Sequence, residues 1–128
     1  MTSTERHFEA LLEQAFNELP EEYRDACEGM AIRPEAFPSE ETLAALGLSD
    51  RYELLGLYHG LNLARKSNLG VAMSPDVIVL YREPITAYAK AQGYELGDVV
   101  RHVLVHEIGH HFGLSDDDME AIEARAGD

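Results

Sequence analysis

HEIGHHFGLSD, residues 106–116, is the stretch of this chain that decides its interpretation. Two histidines four residues apart lie on one face of a helix, about one turn apart, so both rings can bind a single ion. Glu107 would then lie beside the ion without binding it, where its carboxylate can take a proton from a water molecule that the ion activates. The spacing therefore predicts a zinc site of the kind that hydrolases use, with His106 and His110 as ligands and Glu107 as general base.

Hydrophobic periodicity predicts that this motif lies in a helix over Glu95 to Phe112, a segment without proline. Its apolar residues recur at spacings of three and four; they are Leu96, Val99, Val100, Val103, Leu104 and Ile108. At about 100° per residue, both histidines of the motif and Glu107 fall on the apolar side, so we expect all three to point inward. Buried ionisable groups are usually paired or bound to metal. The alternative without metal has two core histidines and an arginine such as Arg82 bound to Glu107.

The third zinc ligand is expected just beyond the helix, because a catalytic zinc usually has three protein ligands and one open position. Gly113 can adopt a positive φ, end the helix and turn the chain back towards the ion. Asp116 follows three residues later and is our candidate, with Asp117 or Glu120 as the fallback.

The same acidic turn also has a purely local interpretation. Ser115 can cap a following helix together with Asp118, and residues 116–118 carry three aspartates that suit the positive end of that helix. Both interpretations can hold at once, with one aspartate turned to the metal and the others to the helix.

The remaining histidines receive no ligand role. His102 lies four residues before His106, but its direction has drifted about 40° from the ligand stripe, and His111 lies about 100° round from His110. We expect both to lie behind the ligands or in solvent. His7 and His59 are far away in sequence.

The motif resembles the extended zinc motif of the metzincin clan, in the variant whose third ligand is aspartate. The wider chain is similar to a family of small bacterial zinc metallopeptidases with a minimal zincin-like fold. The similarity is carried by residues 19–22, 54–58, 75–85 and 106–116. It implies one α+β domain over residues 1–128, in which a small mixed sheet and additional helices pack against the active-site helix. It also implies Zn²⁺ as cofactor, with His106, His110 and Asp116 as its ligands.

The chain departs from larger metzincins after the motif. Those enzymes place a turn that contains a methionine downstream of the ligands, under the metal. Here 12 residues follow Asp116, and Met119 is the only methionine among them. Because Met119 falls in a predicted helix, we do not assign it to such a turn.

Composition narrows the classes of partner. The net charge of −14 argues against nucleic acid and anionic membrane surfaces, since both need Lys and Arg. The acidity serves either solubility or attraction of basic peptides. No apolar run of about 18 residues and no apolar leader core occur in the sequence, so we expect a cytoplasmic protein. The single cysteine, Cys27, is expected to be a small buried residue.

The order of elements along the chain predicts an α+β fold. Apolar spacing, prolines and glycines place helices at residues 4–19, 21–28 and 85–91, with another starting near 38–42. Short apolar runs predict strands at 30–33, 54–58 and 77–81, and residues 62–75 are expected to form a loop. A zincin-like site presents an open strand edge to an extended substrate. That edge comes from residues 54–59 or from 77–81.

Two functions of different classes follow from these predictions. The first is a zinc-dependent peptidase acting on peptide or protein substrates, with Glu107 as general base. The second is a non-catalytic domain that uses the same zinc site for stability or for recognising a partner peptide. A peptidase also needs a donor to the oxyanion. The candidates are Tyr58, Tyr81, Tyr88, Tyr94 and Arg82.

Overall fold

A computed structural model describes residues 2–59 and 76–126 of the chain, apart from the side chains of Ala26, Asp116, Arg125 and Ala126. Its helices are α1 (Ser3–Asn17), α2 (Glu21–Ala26), α3 (Glu40–Leu46), α4 (Arg82–Gln92), α5 (Leu96–Phe112) and α6 (Asp116–Ala126). Its strands are β1 (Ala31–Glu35), β2 (Gly56–His59) and β3 (Val77–Tyr81). The predicted loop at 62–75 lies outside the described residues.

The three strands form one mixed sheet in the order β1-β3-β2. β1 runs parallel to β3, with Ala31 opposite Val77, while β2 runs antiparallel to β3, with Gly56 opposite Leu80. Of the two candidate edges, β3 is therefore central, and β2 is an outer strand among the described residues. The α+β class and the small mixed sheet are confirmed.

Two strands and one helix have bounds that differ from the predicted ones, in each case at or near a proline or a glycine. β1 continues through Pro34 to Glu35, although the proline was expected to end it. Among the described strands β1 lies at the edge of the sheet, where a proline without an N–H can be accommodated. β2 begins at Gly56 and not at Leu54, and α4 begins two residues before Pro84, whose missing N–H costs little in the first helical turn.

Helix α5 lies at the centre of the described structure, against α1, α4, α6, β2 and β3. Its residues Val100, Leu104, Val105 and Ile108 are at most 1 % exposed. α1 covers one side of α5 with Phe8, Leu12 and Ala15, all buried. Because so many elements pack on α5, the core fixes the position of this helix.

Both ends of α5 are set by local chemistry. Glu95 occupies the N-cap, and Gly113 ends the helix in the left-handed conformation, with φ of 70°. The Leu114 N–H donates to Gly109 O over 2.9 Å, and the Gly113 N–H donates to His110 O over 3.3 Å. This hydrogen-bond pair is the glycine-dependent helix stop that the sequence predicts, and it turns the chain into α6.

Within residues 2–59 and 76–126, none of the helices combines the length and the apolar character that crossing a bilayer requires.

Candidate metal centre

Glu107 lies in the narrowest contact between α5 and the sheet. Its side chain packs against Gly56 of β2, where an added Cβ would lie 3.2 Å from Glu107 Cγ and 2.7 Å from Val103 Cγ1. The backbone N–H of Tyr58 donates to the Glu107 carboxylate. With 8 % of its surface exposed, Glu107 points inward as predicted. Only a residue without a side chain at position 56 lets the strand come so close.

Burial raises the pKa of Glu107 above its ordinary value of 4.5. The neighbouring His110 ring and the Tyr58 N–H oppose this shift, because both favour the ionised carboxylate. Arg82, the alternative partner of Glu107, instead contacts Glu83, with Nε and Oε1 3.6 Å apart. A carboxyl group with a raised pKa in a site lined by a histidine is suited to accept and return protons.

His110 lies at the surface, contrary to the expectation that it points inward. Its side chain is 53 % exposed, and its Nδ1 lies 3.3 Å from Glu107 Oε1. The prediction erred because helical phase gives only the direction of a side chain, whereas its burial depends on which elements pack there; the adjacent His111 is buried. The structure thus brings Glu107 and His110 together, with the imidazole on the solvent side of the carboxylate.

His106 is half-buried one turn earlier on the same helix. Its ring lies against that of His102, with 4.5 Å between the centroids and 53° between the planes. His102 Nδ1 in turn lies 2.9 Å from Glu123 Oε2 of α6. His102 therefore lies behind the predicted ligand His106, which is one of the two positions expected for it. The other side of its ring reaches solvent.

His111 belongs to a buried polar group that was not assigned from the sequence. It is 5 % exposed, and its Nδ1 lies 2.7 Å from Asp76 Oδ2. The Tyr58 hydroxyl donates to the same oxygen over 3.0 Å. The Asp76 oxygen lies off the axis of a ring N–H, so the contact with His111 is close but is not a linear hydrogen bond.

The signal for this buried group was present in the helical phase. Position 111 falls between Val100 and Leu104 on the apolar face of α5, and both of those residues are fully buried. The direction of His111 relative to His110 alone does not show that its side chain points inward. The group ties β2 and the start of β3 to α5, and its member Tyr58 is also the residue whose backbone contacts Glu107.

The acidic turn after α5 has the local structure that its sequence predicts. The Asp118 N–H donates to Ser115 Oγ over 3.2 Å, and the Ser115 N–H donates to Asp118 Oδ2 over 3.3 Å. Asp118 is thus committed to the helix cap, while Asp117 and Glu120 are exposed. The side chain of Asp116, the predicted third ligand, lies outside the described residues. Among the side chains described, no three His, Cys, Asp or Glu groups converge on one point.

Met119 lies in α6 and not in a turn, as expected. It is 4 % exposed and packs against Gly109 of α5, where an added Cβ would overlap the Met119 sulfur. Gly109 lies between Glu107 and His110 in the motif. Like the contact at Gly56, this close contact at Gly109 depends on a glycine. It brings α6, and with it the acidic turn, close to the histidines of α5.

The candidate hydrogen-bond donors to an oxyanion differ in the contacts and the exposure of their side chains. The Tyr58 hydroxyl is engaged by Asp76, and burial raises its pKa, as does that carboxylate. Tyr81 is 3 % exposed in the central strand. Tyr88 and Tyr94 are exposed and lie near each other, with ring centroids 6.0 Å apart. Tyr58 is therefore removed as a hydroxyl donor, and the others remain predictions.

The donor chemistry of this region fits zinc. Two imidazoles lie one turn apart on a helix, next to a buried carboxylate that contacts no Lys or Arg among the described residues. Imidazole nitrogen and carboxylate oxygen are both zinc ligands, and His110 is accessible from solvent. An ion bound by the imidazoles would bring a positive charge beside the buried carboxylate of Glu107.

Comparison with known proteins agrees with this geometry at the level of a family. No curated protein matches the chain closely enough to count as a relative. The sequence profile of zincin-like metallopeptidases, a class that generally depends on zinc, matches residues 27–126. The match includes the whole sheet, α5 and α6, and leaves out residues 1–26, which contain α1 and all of α2, and the last two residues. The chain therefore belongs to the zincin-like metallopeptidase family.

Proposed function

We propose that this chain is a zinc-dependent peptidase in which His106, His110 and Asp116 hold the ion and Glu107 is the general base. The observation that carries the proposal is the position of Glu107. Its carboxyl group is buried beside a solvent-accessible imidazole, receives the Tyr58 N–H, and has a raised pKa. A carboxylate that only stabilises a fold does not require burial next to a solvent-accessible imidazole.

Zinc supplies Lewis acidity for a water molecule and for the carbonyl group of the peptide bond. Glu107 accepts the proton of that water and later returns it to the departing amine. The Tyr58 N–H and the close contact with Gly56 hold the carboxylate in one orientation during both transfers. The buried pair of Asp76 and His111 keeps β2, which carries that N–H, against α5.

Asp116 is proposed as third ligand from the backbone around it. It is the first residue of α6, directly after the turn that Gly113 and the Ser115 cap define. Because Asp118 is already used by the cap, Asp116 and Asp117 are the aspartates of the turn left for a metal. At 100° per residue, position 116 shares a face of α6 with Glu123, and Glu123 contacts His102.

The proposed substrate is a peptide in extended conformation, bound along β2. This strand lies against Glu107 and is an outer strand of the sheet formed by the described residues. An extended chain that pairs with β2 would be held by backbone hydrogen bonds, with its own backbone close to Glu107. Such binding is tolerant of sequence unless a side-chain pocket adds selectivity.

The proposal is tested with two variants that separate zinc binding from hydrolysis. Glu107→Ala should retain zinc and lose cleavage of a broad peptide library by at least about a hundredfold, the usual contribution of a general base. His106→Ala should lose zinc and cleavage together. Zinc content is measured by elemental analysis of protein purified without a histidine tag, and cleavage is measured by mass spectrometry. Glu9→Gln on the exposed face of α1 serves as the matched carboxylate control.

Two outcomes contradict the proposal. If wild type and Glu107→Ala bind zinc equally and neither cleaves any peptide, the chain is a non-catalytic zinc-binding domain. If wild type contains no zinc after incubation with the ion, the ligand assignment is wrong.

A further inference from the structure

A cavity of about 350 Å³ opens beside the candidate metal centre. It lies between the junction of α4 and α5, the first half of α5, and α6. Its lining consists of Tyr88, Tyr94, Asp98, Val99, His102 and Glu123. We call it the tyrosine pocket.

His102 links the tyrosine pocket to the first predicted ligand. Its side chain lines the pocket, and its ring centroid lies 4.5 Å from that of His106. The pocket therefore lies one helical turn from the place where a peptide bond would be cleaved.

The lining has the chemistry that binds a cation. Its described residues supply two carboxylates and two phenol rings and no lysine or arginine. The rings of Tyr88 and Tyr94 are tilted by 56° at a centroid distance of 6.0 Å, and the two residues are 40 % and 55 % exposed. Exposed aromatic faces attract ammonium and guanidinium groups. Because the two rings and the two carboxylates line the same pocket, a cation bound there could contact both kinds of group.

The two carboxylates contribute unequally. Asp98 already has a strong cationic partner, since its Oδ1 lies 2.9 Å from Nη2 of Arg101. Among the described residues, Glu123 has an ion-pair contact with His102 and with no lysine or arginine. The negative charge available to a ligand in the pocket is therefore mainly that of Glu123. The net charge of −14 for the whole chain adds a weaker, longer-range attraction for cations.

We propose that the tyrosine pocket binds the arginine or lysine side chain of a peptide substrate, next to the bond that is cleaved. The inference rests on the proposed peptidase function and adds a preference for basic residues to it. The guanidinium or ammonium group would contact the two tyrosine faces and Glu123, while the aliphatic part of the side chain would pack on Val99.

The test measures peptide binding apart from hydrolysis. Zinc-loaded Glu107→Ala protein is titrated calorimetrically with blocked alanine-glycine hexapeptides that carry one arginine, placed at each of the six positions in turn. The matched peptides carry citrulline, which has nearly the same shape and no charge. At its best position, arginine should bind about five- to tenfold more tightly than citrulline, the range of a cation–aromatic contact plus a surface ion pair. The preference should shrink in high salt.

Three variants in the same background locate the preference. Glu123→Gln and Tyr94→Leu should each reduce the ratio of arginine to citrulline affinity at least about threefold. Tyr94→Phe keeps the aromatic face and should preserve the ratio. Glu13→Gln removes a carboxylate that lines a different cavity, between α1 and β1, and should leave the ratio unchanged. Tyr94 is exposed, so its replacement tests the pocket without threatening the fold.

Equal affinity for arginine and citrulline peptides at every position would overturn the proposal, as would an unchanged ratio in both Glu123→Gln and Tyr94→Leu. Tighter binding of phenylalanine than of arginine peptides would also overturn it, because the pocket would then be apolar in function. Failure of the peptidase proposal looks different. Arginine selectivity with no cleavage by wild type would refute the peptidase and keep the cation pocket, whereas cleavage without arginine selectivity would do the reverse.

Discussion

The two sides of α5 that carry the candidate centre are built in opposite ways. On the side that faces the sheet, Glu107 and His111 are 8 % and 5 % exposed, and their partners Tyr58 and Asp76 hold them in place. Towards α6, His102 contacts Glu123 and its side chain is 51 % exposed, and the side chain of His110 is 53 % exposed. One helix thus presents a buried, fully packed polar face and an open, solvated one.

The difference separates two tasks of the proposed site. A general base must be held in a fixed orientation before the substrate arrives, and burial against a sheet achieves this without any metal. Metal ligands must remain accessible to an ion and to a substrate, so an exposed position suits them. We therefore expect substitutions on the sheet side to change stability strongly, and those on the α6 side to change binding with little effect on stability.

The largest effect is expected from Asp76→Ala. It leaves the Tyr58 hydroxyl and the buried His111 without their shared carboxylate, and should lower the free energy of unfolding by about 3–5 kcal/mol. Urea denaturation monitored by circular dichroism measures the change. Tyr58→Phe removes only the hydrogen bond of the hydroxyl and should cost about 1 kcal/mol. Equal losses in the two variants would show that the contact between Asp76 and His111 contributes nothing.

A second effect on the same side is expected from Gly56→Ala. The added Cβ would lie 2.7 Å from Val103 Cγ1 and 3.2 Å from Glu107 Cγ, so β2 or α5 has to shift, at a cost of about 1–3 kcal/mol. Because the shift displaces Glu107, cleavage should fall by more than the loss of folded protein explains.

Gly97→Ala is the matched control for that substitution. Gly97 lies in the first turn of α5, and a Cβ there would be in ordinary contact with Leu11, 3.4 Å away. The replacement should stabilise the protein by about 0.5–1 kcal/mol through helix propensity. A loss of stability at Gly97 equal to that at Gly56 would mean that the tight approach of β2 is not the cause.

Glu107→Gln should stabilise the metal-free protein, by roughly 0.5–2 kcal/mol at neutral pH, as replacements at strained functional positions often do. The pKa of Glu107 is raised on folding, so the folded state binds the proton more tightly than the unfolded state. The stability it contributes is present below the ordinary pKa of 4.5 and is lost as the pH rises through the raised value. The wild type should therefore lose stability over that range, and the variant should lack this component. Thermal unfolding from pH 4 to 8 measures both, and a destabilised variant would contradict the prediction.

The thiol of Cys27 offers a check on burial outside the candidate centre. Burial raises its pKa from 9.0 to about 11, which lowers the thiolate fraction at pH 8 about a hundredfold. The native protein should therefore react with a disulfide reagent at least about a hundred times more slowly than the protein in urea. Similar rates in the two states would show that the cavity between α1 and β1 admits the reagent.

The helix, its glycine stop and the cap of α6 could be predicted from the sequence because each depends on neighbouring residues. Gly113 and the reciprocal pair of Ser115 and Asp118 act within a few positions of the chain, so their spacing alone defines them. The inward position of Glu107 followed from helical phase in the same way.

The structural features that could not be predicted from the sequence depend on residues that are distant from one another along the chain. The group of Tyr58, Asp76 and His111 joins three elements, and no local pattern indicates that a hydroxyl in β2 will meet a helix some fifty residues later. The exposure of His110 was missed for a related reason, because helical phase gives the direction of a side chain and does not tell whether another element covers it. The central position of β3 could likewise not be predicted, because it depends on the order of the strands in the sheet.

The smallest effect is expected from the pair of His102 and Glu123 on the α6 side. Although their atoms are 2.9 Å apart, the side chains are 51 % and 29 % exposed, and solvent screens such a pair to a coupling of about 0–1 kcal/mol. A double-mutant cycle with His102→Ala and Glu123→Ala, followed by urea denaturation, measures it directly. The same cycle with His111→Ala and Asp76→Ala should give a coupling several times larger. If the two couplings were equal, the α6 side would be as firmly held as the sheet side, and the division of α5 into a fixed base and an open ligand face would be wrong.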